Sequence, residues 1–277
     1  MIKPKVCVIR SDGTNCDRET KHAFEKVGAD ASIVHLNSLI KGHDPVLDRD
    51  ESLQEYDILA IPGGFSYGDY IASGRVFVEY LKLDLGEQMM KFIEAEKPVI
   101  GICNGFQILI KGGFLGGVEP IKNGNLCQSA SLTYNTSYRF RDDWVKLVRA
   151  PFSDENKCIW TRGIKSIDLP MAHGEGRFAA SAELTDKLFY SSQVVFQYAD
   201  INGKPTLNFP ENPNGSYLAI AGICDSTGRI FGLMPHPERY HDPLNHRLGI
   251  NQRLEGTLPN EGLGLQIFRN AVEYCRG

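Results

Sequence analysis

Apolar positions fall in short dense runs in the first part of the chain and in looser strand-like pieces in the second. KVCVIR at 5–10, ASIVHL at 31–36, YDILAIPGG at 56–64 and KPVIGIC at 97–103 are nearly all apolar, as strands covered on both faces should be. Helical patterns separate them, one from about Asn15 to Val27 and another running to Glu96. This alternation predicts right-handed βαβ crossovers and a parallel sheet with helices on both faces. Beyond residue 117 the pieces SLTYN, DWVKLV, SQVVFQYA, YLAIAGICD and IFGLMPH are divided by turn signals such as NPNGS and STG, which predicts further strands. LGLQIFRNAVEYC near the end reads as an amphipathic helix lying back on the sheet. The expected organisation is one continuous unit over 1–277, with polar surface insertions near 41–56 and 239–262.

Composition narrows the function classes. A net charge of −4 with 23% charged residues offers no basic excess for a phosphate backbone, so nucleic acid is not an expected partner. The seven cysteines contain no CxxC pair, which argues against a disulfide framework and a cysteine-rich zinc site and for a reducing cytoplasm. MIKPKVCVIRSDG carries only a short apolar run broken by Arg10, and nowhere do eighteen apolar residues run together; neither a signal peptide nor a membrane partner is expected.

Chemistry gathers at three strand ends. GICNG, 101–105, turns from a strand directly into a helix with Cys103 at its centre. Such an elbow thrusts the central side chain outward and leaves room only for small neighbours, here Gly101 and Gly105. The start of the helix favours thiolate over thiol. A buried cysteine is otherwise usually inert packing, the reading for Cys7 and Cys224. A thiol nucleophile needs a base and an orienter, and GLMPHPERY supplies His236 and Glu238 two residues apart, between Pro235 and Pro237 that stiffen the segment. IPGGFSYGD follows a strand with consecutive glycines, so the Gly64 N–H and the Asn104 N–H after the elbow are candidates for an oxyanion hole. No metal is expected. His236, Glu238, His241, Asp242 and His246 are crowded, but they lack HExxH spacing, and Pro237 and Pro243 exclude a continuous helix. KGGFLGG at 111–117 lacks GK[ST] and reads as a helix cap and loop.

PGG, GICNGFQ and HPE, in that order, resemble the class I (triad) glutamine amidotransferases. GTNCDRET, PGGFSYGDY, CNGFQIL, NTSYRF, AHGEGRF, NPNGS and GLMPHPER resemble, more narrowly, the branch that serves phosphoribosylformylglycinamidine synthesis, over essentially the whole chain. The resemblance implies a flavodoxin-like, mostly parallel α/β sheet with an antiparallel β extension, and release of ammonia from L-glutamine. It implies Cys103 as nucleophile, His236 as base and Glu238 as orienter, with Gln107 contacting glutamine and Asn135 and Ser137 holding its α-amino and carboxylate groups. It places His173 near the interface with a synthetase. No cofactor is implied in this chain. ATP and Mg belong to a separate synthetase subunit, and a small third subunit is implied as well. Two other readings stay open on the residues: a redox or stress protein on the same fold, and a γ-glutamyl peptidase.

Overall fold

The computed structural model describes residues 2–121, 124–151 and 153–277. In its first half the elements are β1 Lys5–Arg10, α1 Asp17–Lys26, β2 Asp30–His35, α2 Leu36–Lys41, β3 His43–Asp44, β4 Arg49–Asp50, β5 Ile58–Ile61, α3 Arg75–Leu83, α4 Gly86–Glu94, β6 Val99–Ile102 and α5 Asn104–Gly112. The second half adds β7 Ser131–Thr133, β8 Arg141–Arg149, β9 Ser166–His173, β10 Arg177–Ala179, α6 Ala182–Tyr190, β11 Val194–Ala199, β12 Ile220–Cys224, β13 Ile230–Leu233, α7 Gly249–Glu255 and α8 Leu265–Arg276. Nine strands form one sheet in the order β2-β1-β5-β6-β13-β12-β11-β8-β9. Pairing is parallel from β2 to β13 and antiparallel from β13 to β9, so only β8 and β12 run against the other seven. The expected parallel sheet and its antiparallel extension are thus one continuous surface.

The apolar runs predict their own burial. β5, β6, β12 and β13 are buried at every position, which only a covered central strand requires. The chain leaves β1 toward β2 on one side and later passes from β5 to β6 in the other direction, so right-handed crossovers put α1 and α3 on opposite faces. α8 closes the α1 face, where the Phe24 and Phe268 rings meet edge to face at 4.9 Å. α5 ends at Gly113, left-handed at φ 80°, as the capping reading of KGGFLGG requires.

β9 was not among the strands expected from the sequence. SIDLPMAH alternates buried and half-exposed positions and contains Pro170, and it occupies the sheet edge, where proline removes no ladder bond that a neighbour needs. The 41–56 segment carries the β3–β4 hairpin with exposed Val46 and Leu47. Its Glu51 is buried and accepts from the Tyr56 hydroxyl at 2.7 Å. The 239–262 segment holds α7 and buries Tyr240, which stacks on His246. No helix of the described residues is long and apolar enough to cross a membrane.

Candidate active site

The carboxyl ends of β1, β5, β6, β9 and β13 lie along one edge of the sheet, beside the point where strand order reverses between β1 and β5. In open α/β sheets this edge is where ligands are met. Cys103 stands at the end of β6 with φ 51° and ψ −104°, a strained conformation for a residue with a Cβ. Its backbone N–H donates to Leu233 O on β13 at 2.8 Å, which fixes the elbow to the neighbouring strand. The flanking glycines are needed for packing. A Cβ on Gly105 would lie 1.9 Å from Ile61 O, and one on Gly101 would lie 2.5 Å from Gly105 O. The helix therefore starts pressed against its own strand and β5. The Cys103 side chain is buried, with Sγ 3.6 Å from Ala172 O. It opens on a cavity of about 200 Å³ lined in part by Gly64, Asp69, Gln107, Arg139, His173 and Glu175.

His236 follows β13, and its backbone N–H donates to Pro170 O at 2.7 Å. The unexpected strand β9 therefore sets the position of this segment. His236 Nδ1 and Glu238 Oε1 are 2.6 Å apart, with 2% and 0% of their side chains exposed. Burial opposes charge on the imidazole, but Glu238 and Cys103 outweigh it and hold the His236 pKa well above the ordinary histidine value. With Nδ1 engaged by the carboxylate, Nε2 is left for Cys103, whose hydrogen bonding also favours the imidazolium. Nε2 has no hydrogen-bond partner among the described residues, and catalytic hydrogen bonds of this kind tighten in the complex with substrate. Cys103, His236 and Glu238 are thus brought together by β6 and β13, adjacent parallel strands more than a hundred residues apart in sequence.

Gly64 lines the same cavity and Asn104 N–H begins α5 beside Cys103. Neither amide has a hydrogen-bond acceptor among the described residues. The 62–69 loop is clamped by the loop after β1: Cys16 N–H donates to Gly63 O at 3.1 Å and Phe65 N–H to Gly13 O at 2.9 Å. A Cβ on Gly63 would fall 2.7 Å from His236 Cε1, and one on Gly64 would fall 2.8 Å from Gly13 O. The Asn104 side chain has its own task. Oδ1 accepts from Ser66 Oγ at 2.7 Å, and Nδ2 donates to Gln107 Oε1 at 3.0 Å and to Asp69 Oδ1 at 3.3 Å.

The remaining expected contacts divide. Gln107 lines the cavity and donates through Nε2 to Glu175 O at 2.6 Å. Asn135 and Ser137 do not line it. The Asn135 side chain is fully buried and donates to Arg139 O and His173 O, both at 2.9 Å, while accepting from Gly176 N–H at 3.1 Å. Ser137 Oγ accepts from Arg139 N–H. These two residues shape the segment that delivers Tyr134, Tyr138, Arg139 and Phe140 to the cavity. His173 lines the cavity and its side chain is 3% exposed. Burial first, and then the charge on His236, push its pKa down to about 3. Its neutral ring sits between Asn135 Oδ1 at 3.2 Å and Asn214 Nδ2 at 3.4 Å, an arrangement that places the proton on Nδ1.

Sequence reasoning missed Asp69, Lys111 and Glu175. Lys111 Nζ is 3.7 Å from Glu175 Oε2 and donates to Ser73 O at 2.6 Å behind the cavity. It also missed Cys16, whose Sγ lies 3.9 Å from His236 Nδ1. Cys16, His236 and Glu238 bring potential ligand atoms within 4.8 Å of one another. Their atoms are already engaged, however, by the His236–Glu238 bond and by Arg239 Nη2 donating to Cys16 Sγ at 3.0 Å. A larger cleft of about 700 Å³, near Arg10, His35, Lys41 and Val46, pairs no nucleophile with a base.

Comparison with known proteins agrees with this geometry. Residues 3–275 match the family model described as the CobB/CobQ-like glutamine amidotransferase domain. A protein of Dehalococcoides mccartyi named phosphoribosylformylglycinamidine synthase subunit PurQ is 45% identical, with 100% of this chain and 99% of the relative covered. The protein of the same name from Methanococcus maripaludis strain S2 is 41% identical, with 99% of both covered. Among solved structures, a chain in the structure of PurLQS from Thermotoga maritima superposes with a TM-score of 0.69 at 30% identity, with 99% of each chain covered.

Proposed function

The chain belongs to the CobB/CobQ-like glutamine amidotransferase family, and from that premise we propose that it is the glutaminase subunit of phosphoribosylformylglycinamidine synthase. It hydrolyses glutamine to glutamate and hands ammonia to an ATP-dependent synthetase that converts formylglycinamide ribonucleotide to formylglycinamidine ribonucleotide in purine biosynthesis. The observation that carries this reading is the strained Cys103 elbow facing a buried His236–Glu238 pair at 2.6 Å. The full-length likeness to the PurQ relatives supports the particular synthase.

The thiolate of Cys103 attacks the γ-carbonyl carbon of glutamine, forming a C–S bond while the carbonyl electron pair moves to oxygen. The Gly64 and Asn104 N–H groups receive that oxyanion, and fixed donors of this kind are each worth about 3 kcal/mol of barrier. When the tetrahedral centre collapses, the C–N bond breaks and His236 gives its proton to the leaving nitrogen, so ammonia departs and a γ-glutamyl thioester remains. His236 then takes a proton from water, whose oxygen attacks the thioester. Breaking the C–S bond returns the thiolate beside the imidazolium and releases glutamic acid, whose side-chain proton passes to water to give glutamate. Glu238 holds the ring and its charge throughout. All of these steps use side chains and amides of this chain, and ATP and Mg act in the synthetase.

Ammonia set free in bulk water becomes ammonium, which has no lone pair for attack, so the cavity opens toward a docked partner. Phe65, Tyr134, Tyr138 and Phe140 are exposed at its mouth, as a surface that is covered in an assembly should be. The partner is the synthetase subunit, with a small third subunit in the assembly, and the setting is cytoplasmic. The cavity size and the aromatic rim favour a small amide over a γ-glutamyl peptide. In the assembled complex, Cys103→Ala abolishes glutamine-dependent synthesis and leaves synthesis from ammonium salts intact. Loss of both activities, or retention of the first, contradicts the proposal.

A further inference from the structure

The catalytic scheme leaves two groups at the base unused. Cys16 precedes α1 and Arg239 follows Glu238, so 223 residues separate them, yet Arg239 Nη2 donates to Cys16 Sγ at 3.0 Å. The thiol in turn donates to Asn15 Oδ1 at 3.2 Å and touches His236 Nδ1 at 3.9 Å. Cys16 is 1% exposed. Among the described residues Arg239 has no carboxylate within 4 Å, and Cys16 is the one side chain to which its guanidinium donates.

Charge arithmetic gives the contact a purpose. When the site is primed for attack it holds the Cys103 thiolate, the His236 imidazolium and the Glu238 carboxylate, a buried set with one excess negative charge. Buried charge is costly unless balanced. Arg239 is a cation held beside the base that brings the total to zero, and its charge couples to Cys16, Glu238 and Cys103 together. A guanidinium cannot lose its proton in this range, so the compensation persists while the others titrate. Left free, the long side chain would turn to water; the Cys16 sulfur is the acceptor that holds it over the site. The Cys16 backbone N–H also fixes Gly63 O, next to the oxyanion amide of Gly64.

We propose that Cys16 and Arg239 are a positioning pair that holds a compensating positive charge beside the triad and so keeps Cys103 ionised. This rests on Cys103 being the nucleophile. The other titratable and charged groups facing the site are His173 on β9, neutral through the relevant range, Tyr198 on β11, whose pKa burial raises, Asp69, Tyr134, Tyr138, Arg139 and Glu175 on the cavity wall, and Lys111 of α5, paired with Glu175.

The test is the pH profile of Cys103 alkylation by iodoacetamide in the full chain. The adduct is quantified at Cys103 by peptide mass spectrometry, and folding is checked by thermal melting. Arg239→Gln should move the midpoint upward by about one pH unit, a roughly tenfold slower reaction on the rising limb. Arg239→Lys should restore most of it. Cys16→Ala should move the midpoint the same way by a smaller amount, and Cys16→Ser, which keeps an acceptor, should lie near the parent. Packing alone would alter melting and leave the midpoint in place. A folded Arg239→Gln chain with the parent midpoint overturns the pair. If that variant fails to fold, a Cys16→Ala profile superimposed on the parent overturns it instead. A parent chain labelled in preference elsewhere overturns the nucleophile assignment and the pair with it, whereas parent labelling at Cys103 with unmoved variants overturns the pair alone.

Discussion

Replacing Gly105 with alanine asks whether the elbow depends on close approach of α5 to the sheet. Gly105 is an ordinary helical position with no positive φ, so on propensity alone alanine should stabilise it by up to about 1 kcal/mol. The structure reverses that sign. The added Cβ would sit 1.9 Å from Ile61 O and 2.7 Å from Ile61 C, against roughly 3.5 Å for an unstrained contact, so α5 must back away from β5 by about 1.5 Å. Overpacking of this kind costs about 1–3 kcal/mol, and with the propensity gain lost the variant should melt several degrees below the parent. The same movement carries Cys103 Sγ and the Asn104 N–H away from His236 and Gly64. Misplacing reacting groups by about 1 Å costs about 100-fold in rate. Gly86→Ala is the matched control, since the nearest atom to its Cβ is Leu81 O at 3.9 Å; it should be neutral or mildly stabilising. Thermal melts and glutaminase rates of the assembled complex provide the readout. A Gly105→Ala chain as stable as the parent, with activity within threefold, would refute the packing argument.

Three further outcomes follow from burial and charge. The unfolded chain protonates His173 near 6.5 whereas the folded chain resists until about 3, so stability falls as pH drops from about 6.5 by about 1.4 kcal/mol per unit; His173→Gln should flatten the pH dependence of chemical denaturation by that slope. The raised pKa of His236 has the opposite sense: its pairing with Glu238 is fully stabilising below about pH 6.5 and is lost as pH rises through the raised value, so Glu238→Gln should lose about 3–5 kcal/mol near pH 6 and less in alkaline solution, as measured by urea titration at both. Phe268→Ala, at a fully buried ring packed on Phe24, should cost about 3–5 kcal/mol in the same titration and leave the Cys103 labelling profile unchanged.

What the sequence discloses depends on how local the cause is. β5, β6 and β13 are legible because complete burial forces unbroken apolar runs, and β1 because its four central residues are buried. β9 is hidden because an edge strand with Pro170 and alternating exposure carries no such run. Cys103 shows itself through the glycines that its own turn requires, and His236 and Glu238 through a two-residue spacing. The substrate role of Asn135 came from the resemblance alone, and the sequence cannot say that buried backbone atoms take up its side-chain hydrogen bonds. Cys16 and Arg239 meet only because α1 and the turn after β13 converge at the sheet edge, and no spacing rule reaches across such a gap.

The central claim is that the Cys103 sulfur is the atom that attacks the glutamine amide. Incubating the chain with a glutamine-like chloroketone and mapping the modified peptide tests it most directly. The account predicts a single adduct on Cys103, formed much more slowly after His236→Ala and suppressed by excess glutamine. An adduct on Cys16, on exposed Cys127 or on any other residue in place of Cys103 would contradict it.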